Sequence, residues 1–503
     1  MPSLKESPAT NLHGVQNRKS IIMDAMEKLS KQQLSNAPWQ LIAGLAFLWP
    51  CLQSSGFYPL SLVAKVDRFD PAFIAGLHLL YSIALIALFA LAFFISKRIA
   101  TLSQHNKIAC AAIALVGASG LAALSIPNIL VASAAATYAA MLGIAVFTAY
   151  FTVFWGTAFS NTDAGTVALH TALSFVLSQA FTLLAYALGF SQNLFLEICA
   201  LGCGASAIVT RSTVYHGDVH ANDETSMKQL PWSIIVFTLL LIYFCVIHVR
   251  LQIPQFNGDA SVGNKCLAAS ICLVVFLCVT AFLTKSQPSP HRLTVIFITL
   301  VAGYLAGLGA VSLFFSTDGG SLARRVLIAD EHCLEAFLWM LLAHQASTKG
   351  ISGIRIFALY GIAIVVLPWL ISFDVRYLTP LGEIAATSDW VLPLVTIALC
   401  ATAIGALAFL SSYVIRISRN ASSSMQQSIQ QSAETVLSQA ALTPRELEIA
   451  AYVYRGYSAK RIAEKLFLSE PTIKSYTSRV YRKLGIKSKQ ELIDYVDERR
   501  PLA

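Results

Sequence analysis

Residues 457–486 read YSAKRIAEKLFLSEPTIKSYTSRVYRKLGI, and they determine the architecture of the last part of the chain. Ser458 and Ser469 each precede a run of residues with helical spacing, which is the place of an N-cap residue. Gly485 follows the second run, as expected where a helix ends in a left-handed residue. The stretch therefore predicts two short helices joined by a tight turn at 467–468.

A further helix is predicted on each side of this pair. Thr443 and Glu446 form a capping box at the start of the first helix, and Gly456 marks its end. Ser488 and Glu491 form a second capping box that starts the last helix. The four helices predict a small bundle, in which helices two and three have the order and spacing of a helix-turn-helix.

The third helix has two unlike faces. Its buried stripe is predicted to consist of Ile473, Val480, Leu484 and either Tyr476 or Thr477. The opposite face is polar or basic, with Lys474, Ser475, Ser478, Arg479 and Arg482. The major groove of DNA admits such a helix, with side chains near its N-terminus reaching base edges and cations meeting phosphates. This pattern predicts DNA binding, and a helix-turn-helix used only for protein contacts is the alternative.

Residues 442–497 resemble the LuxR-type DNA-binding domain, also called the NarL/FixJ type, through the stretches LTPRELEIA, GYSAKRIAEKL, LSEPTIKSYTSRVYRKLGI and SKQELI. The resemblance implies that Lys474, Ser475 and Ser478 meet the major groove. It implies phosphate contacts from Arg461, Thr472, Arg479 and Lys483. It also implies a homodimer on double-stranded promoter DNA, formed through the last helix near 489–498. Tyr476 departs from the His that the family often has, but Tyr still packs and donates a hydrogen bond.

The chain as a whole has a different composition from this basic end. Of its 503 residues, 56% are hydrophobic and 13% are charged, and the mean hydropathy is +0.63. Soluble globular proteins carry about 25% charged residues. The composition excludes an ordinary cytosolic enzyme, a disordered protein and a fibrous protein, and it predicts a polytopic membrane protein.

Apolar runs long enough to cross a bilayer recur twelve times, since a span needs about 20 residues. They lie at approximately 39–64, 71–96, 107–126, 129–157, 163–189, 192–212, 231–252, 264–284, 291–315, 322–345, 353–373 and 388–415. The longest internal connection, 211–231, divides them into six plus six. The predicted fold is all-α, a twelve-helix transmembrane bundle followed by the four-helix domain.

The domain boundaries follow from these shifts in composition. We predict a polar N-terminal tail at 1–38, the membrane domain at 39–415, a Ser/Gln-rich linker at 416–440 and the DNA-binding domain at 441–503. The last of these holds 13 Lys and Arg against 8 Asp and Glu, which is +5 of the total net charge of +9. A basic terminal domain of this kind favours a polyanionic partner.

The distribution of Lys and Arg predicts the orientation in the bilayer. With twelve spans both tails lie on one side, and that side carries 16 Lys and Arg against 7 on the other. Both termini are therefore predicted to be cytoplasmic, in a multi-pass protein of the bacterial inner membrane. The seven tryptophans mostly fall near span ends, as expected of an interfacial belt.

The six-plus-six layout resembles the major facilitator superfamily over about 39–415, in architecture only. That family's glycine- and charge-rich signature between spans two and three is absent, because residues 96–103 read SKRIATLS. The departure argues against active transport and is compatible with a transporter-like fold that acts as a sensor.

Span ten carries the most unusual charges, Asp330, Glu331, His332 and Glu335. Ionisable groups within a span are costly and generally face a cavity or the bundle interior. We predict a ligand or proton site for a cationic or polar signal. The alternatives are internal pairing, with Arg324, Arg325 or a histidine as partner, and a misplaced span boundary.

No cofactor or metal site is predicted. The ten cysteines lie almost entirely in apolar runs and form no CxxC pair, so they are interpreted as packing residues. No nucleotide-binding loop or nucleophile triad is visible, so we do not expect an enzyme. The sequence thus predicts a membrane-bound one-component transcription regulator that senses an unknown small molecule or ion. A secondary transporter with an appended regulatory domain is the alternative, and a membrane tether without a ligand is a third possibility.

Overall fold

The computed structural model is helical, and no strand occurs in the residues that it describes. The chain divides into two compact units, Met1–Leu410 and Ser411–Ala503. The residues described are 38–54, 71–96, 107–125, 133–210, 230–251, 262–284, 290–314, 320–373, 442–454 and 456–499, with isolated positions within 227–228, 394–408 and 436–440. The predicted N-terminal tail, most of the linker and most of span twelve lie outside them.

The first unit contains a helix at each of the first eleven predicted spans. In chain order they are α1 Trp39–Ser54, α2 Pro71–Phe94, α3 Lys107–Ser125, α4 Ala134–Ser160, α5 Val167–Ala187, α6 Gln192–Val209, α7 Trp232–Leu251, α8 Val262–Thr284, α9 Pro290–Phe314 and α10 Gly320–Lys349. The eleventh span comprises α11 Gly353–Tyr360, a π-helical turn Gly361–Val366 and α12 Leu367–Phe373.

Six of these helices are long and apolar enough to cross a membrane: Ala72–Phe94, Lys107–Ser125, Ala134–Ser160, Val167–Ala187, Gln192–Val209 and Cys266–Thr284. Three shorter apolar helices lie at Trp232–Ile247, Arg292–Ala306 and Gly353–Val366. Because a bilayer core requires about 20 apolar residues per helix, the first unit is a multi-pass membrane domain.

Aromatic side chains fill the centre of this unit. Trp49, Trp155 and Trp339 are fully buried, and the rings of Trp49 and Trp339 meet with centroids 5.3 Å apart. The expectation of an interfacial belt is wrong for these three residues, because their rings fill gaps between helices. Trp39 and Trp232, which are about half exposed, retain the position expected of interfacial residues.

The first and last groups of six spans approach closely at one end. Gly156 of α4 packs directly under Phe357 of α11, so that a Cβ at Gly156 would overlap the ring. Ser347 at the end of α10 donates a hydrogen bond to the carbonyl oxygen of Thr162 over 2.6 Å. Arg355 Nε donates to Ser96 Oγ over 2.9 Å. These contacts join the two groups at the end that the Lys/Arg distribution assigns to the cytoplasm.

The second unit contains the four predicted short helices: α13 Pro444–Tyr454, α14 Ala459–Leu466, α15 Glu470–Leu484 and α16 Lys489–Arg499. Ile449, Ile462, Ile473 and Leu492, one from each helix, are fully buried and form a single core. Leu437 is also fully buried in this core, although it precedes the boundary predicted at 441.

Candidate nucleic-acid interface and membrane cluster

Local hydrogen bonds fix the starts of α14 and α15, which lie on either side of a tight turn. The Ser458 and Ser469 hydroxyls accept from the backbone N–H groups of Arg461 and Thr472, both over 3.3 Å, which confirms the two predicted N-caps. The turn between the helices lies at Phe467, and Gly485 ends α15 with φ +71°. The order helix, turn, helix follows directly from these capping residues.

The two faces of α15 are separated as the sequence predicts. Ile473 and Val480 are buried, whereas Tyr476, Thr477 and Leu484 are half-buried along the same stripe. The opposite face exposes Lys474, Ser475, Ser478, Arg479 and Arg482. Every polar or basic residue predicted on that face is therefore accessible to a partner.

The basic side chains near this face have different immediate neighbours. The guanidinium of Arg479 lies 4.5 Å from the centre of the Tyr476 ring, and that of Arg461 lies 5.1 Å from the centre of the Tyr457 ring. Both are exposed cations steadied by an aromatic face. Both charges therefore remain accessible to solvent while they rest on these rings.

Lys474, predicted to meet the major groove, forms an ion pair with Glu470 one turn earlier, with Nζ and Oε1 2.8 Å apart. The lysine side chain remains 68% exposed. The pair lowers the pKa of Glu470, because the neighbouring ammonium favours the carboxylate. Any partner that binds this lysine must therefore compete with Glu470 for it.

Lys483 has a partner that the sequence did not indicate. Its Nζ donates to Glu446 Oε2 over 2.6 Å, and the Glu446 side chain is only 4% exposed. The backbone N–H of Thr443 donates to the same oxygen over 2.8 Å, so the predicted capping box of α13 is present and is completed by a cation from α15. Lys483 and this N–H together lower the pKa of Glu446 from 4.5 to about 2.

Through this ion pair, Lys483 connects α15 to α13 within the folded domain. The sequence places Lys483 at helical spacing after Ile473, Tyr476 and Val480, on the edge of the buried stripe, but it does not identify Glu446 as its partner. Thr472, also predicted to contact phosphate, has its hydroxyl 2.7 Å from that of Ser469. Both residues therefore make contacts within the domain besides any contact with DNA.

In the membrane unit, α10 brings together Asp330, Glu331, His332 and Glu335, each partly buried. The His332 side chain contacts the thiol of Cys272 from α8. Cys245 of α7 places its Sγ 3.1 Å from the carbonyl oxygen of Leu327, and Cys272 places its Sγ 3.5 Å from that of Ala329. The cluster is thus enclosed by neighbouring helices.

Two charged side chains of α10 each have a buried polar atom that lacks a hydrogen-bond partner among the residues described. These atoms are Oδ2 of Asp330 and Nε of Arg325. Within the same part of the chain, no group of three or more His, Cys, Asp and Glu is placed to hold a metal ion.

Residues 440–496 match the family described as bacterial regulatory proteins, luxR family. Similar proteins include the oxygen regulatory protein NreC of Staphylococcus aureus strains JH9 and JH1, each 44% identical over 61 residues. That match covers 12% of this chain and 28% of NreC, so most of each protein lies outside it.

Solved structures similar to the chain include a bacterial homologue of the iron transporter ferroportin in an outward-facing state. Its TM-score is 0.48 at 13% identity, with 74% of this chain and 98% of that chain covered. The proton:xylose symporter XylE gives 0.47 at 13% identity, covering 75% and 94%. The human organic anion transporter MFSD10 gives 0.47 at 11% identity, covering 72% and 100%.

Proposed function

We propose that this protein is a membrane-bound one-component transcription regulator. The premise is that residues 440–496 form a LuxR-type helix-turn-helix domain in a chain that also has a multi-pass membrane domain. The C-terminal unit of the protein binds promoter DNA as a homodimer, and its membrane domain senses a small molecule or an ion. The observation that carries the proposal is the exposed polar and basic face of α15, in the same chain as helices long enough to cross a bilayer.

In this proposal DNA recognition divides between two sets of side chains. Lys474, Ser475 and Ser478 read base edges near the N-terminal half of α15, where a recognition helix enters the major groove. Arg461, Arg479 and Arg482 contact phosphates, joined by the hydroxyl of Thr472. Lys483 contributes mainly by holding α15 against α13 through Glu446.

Both termini lie in the cytoplasm of a bacterial cell in this proposal, with the membrane unit in the inner membrane. This orientation places the basic domain on the side where DNA is found. The excess of Lys and Arg on that side, 16 against 7, supports this orientation, because such residues resist translocation.

DNA recognition is tested with the full chain in lipid nanodiscs, incubated with a library of random-sequence duplexes. We expect selection of a short motif, repeated in two half-sites if the protein binds as a dimer. Lys474→Ala should abolish the selection. Lys487→Ala, which removes the same charge from an exposed site outside α15, should keep it. Recovery of the same motif with Lys474→Ala would contradict the assignment.

Sensing is proposed to occur at Asp330, Glu331, His332 and Glu335. Charged side chains within a span are costly, so their presence in an enclosed part of α10 favours a binding role. A ligand changes promoter occupancy only if it binds one conformation of the protein better than another. The close contacts between the two groups of spans, at Gly156 and Phe357, offer an interface whose packing such a ligand can bias.

The sensing proposal is tested with a reporter gene placed behind a selected DNA motif, across a panel of growth media. Glu335→Gln should abolish the variation in reporter output between media. Glu197→Gln, which changes a carboxylate of α6 outside the cluster, should preserve it. Unchanged variation in the Glu335→Gln strain would contradict the assignment of the cluster.

A further inference from the structure

Phe467, in the turn between α14 and α15, has a side chain that makes almost no contact with the rest of the domain. Its ring is 95% exposed, and it is the one large aliphatic or phenyl side chain left exposed among the described residues of 442–499. The other apolar side chains near the turn, Leu466 and Leu468, pack against the core. The ring therefore contributes nothing to the stability of the folded domain.

The backbone at Phe467 is also unfavourable for this residue type. Its φ of +54° and ψ of +42° lie in the left-handed region, and it is the sole non-glycine residue with positive φ in the described part of the chain. Glycine and asparagine adopt this region readily, whereas a bulky side chain is strained there. The N–H groups of Phe467 and Leu468 both donate to the Ala463 carbonyl, which either small residue would allow equally well.

A residue that is strained and unpacked in the folded domain is expected where binding requires it. Phe467 stands two residues before Ser469, the N-cap of α15, so its Cα is within about 8 Å of the helix end that enters the groove in a helix-turn-helix. Residues 459–484 hold seven Lys and Arg against two Glu. The charge surrounding the ring therefore favours a polyanion over an acidic or apolar protein surface.

We propose that Phe467 packs against the 5-methyl group of a thymine in the major groove and so determines one base of the recognised sequence. The inference rests on the proposed function, because it requires that α15 enters DNA. A methyl group is the apolar feature that distinguishes thymine in this groove, and aromatic side chains are among its known partners. The role is separate from that of Lys474, Ser475 and Ser478, which recognise polar base edges.

The test uses the full chain in lipid nanodiscs and the duplex that it selects from a random library. Each thymine of the duplex is replaced in turn by uracil, which removes only the methyl group. At one thymine per half-site we expect about fourfold weaker binding, the loss for one buried methyl-sized group. Phe467→Asn should bind the thymine duplex roughly tenfold more weakly than the wild-type protein, as expected for a lost phenyl contact. That variant should also bind thymine and uracil duplexes equally.

The stability of the domain provides an independent measurement, because Phe467→Asn should raise stability while it lowers DNA affinity. Because asparagine tolerates positive φ, Phe467→Asn should slow amide hydrogen exchange in 459–484, although it weakens DNA binding. Phe467→Leu keeps the strain and part of the apolar contact, so its DNA affinity should be intermediate and its exchange close to that of the wild type.

Three results would overturn the proposal. Wild-type binding that is insensitive to uracil at every thymine excludes the methyl contact. Unchanged DNA affinity in Phe467→Asn excludes any DNA contact, and if reporter transcription is lost at the same time, the ring serves a protein partner. Failure of the wild-type chain to select any duplex would instead contradict the proposed function itself, and with it this inference.

Discussion

Two substitutions on α15 remove the same charge and are expected to change different properties. Arg479 is exposed, and its guanidinium rests on the Tyr476 ring. Lys483 is bound to the buried carboxylate of Glu446 over 2.6 Å. We therefore predict that Arg479→Ala weakens DNA binding and leaves the fold intact, whereas Lys483→Met loosens the contact between α13 and α15.

The salt dependence of DNA binding gives the size of the effect expected for Arg479→Ala. Each phosphate neutralised contributes about −0.9 to the slope of log K against log salt. Three cations are assigned to phosphates, giving a slope of about −2.7 per domain: Arg461, Arg479 and Arg482. Arg479→Ala should reduce the slope to about −1.8, so the loss of affinity relative to the wild type shrinks about 3.5-fold between about 50 and 200 mM salt.

The assay is fluorescence anisotropy of a labelled duplex with the full chain in nanodiscs, accompanied by hydrogen exchange. Lys483→Met should keep the wild-type slope and accelerate exchange in 442–454, where Glu446 caps α13. Equal slopes for Arg479→Ala and the wild type would refute the assignment of Arg479. A reduced slope for Lys483→Met with unchanged exchange would show that Lys483 contacts phosphate after all.

Three further predictions concern the same domain. Ile473→Ala, which empties a fully buried site, should destabilise the domain by about 2–5 kcal/mol and accelerate its hydrogen exchange; unchanged exchange would contradict the buried position. The pKa of Glu446 is depressed from 4.5 to about 2, so its stabilising effect is present above about pH 4.5 and is lost as pH falls towards 2; Glu446→Gln should flatten this part of a pH titration of domain unfolding. Glu470→Gln should tighten DNA binding at low salt by releasing Lys474, and weaker binding in anisotropy would exclude that competition.

Local features of the fold were predictable because each depends on a few neighbouring residues. The N-caps at Ser458 and Ser469 and the stop at Gly485 are present as expected. The buried stripe of α15 follows from the period of the helix, and the membrane helices follow from apolar runs of bilayer length. The two faces of the candidate DNA-binding helix could therefore be assigned from sequence.

Contacts between distant elements were not predictable in the same way. The partner of Lys483 lies 37 residues earlier, and only the packing of α13 on α15 brings Glu446 to it. Trp49 and Trp339 belong to the first and tenth spans, and only the geometry of the bundle brings them together and buries them. Likewise, Cys272 joins the α10 cluster through helix packing, and no spacing rule connects it to His332.

The central claim is that a protein anchored in the membrane binds specific chromosomal sites through α15. Genome-wide mapping of DNA crosslinked to the tagged full-length chain, in living cells, tests it most directly. We predict discrete sites that share one motif and that disappear with Lys474→Ala while the protein remains in the membrane fraction. Sites that are absent from the wild type, or unchanged in the variant, would contradict the claim.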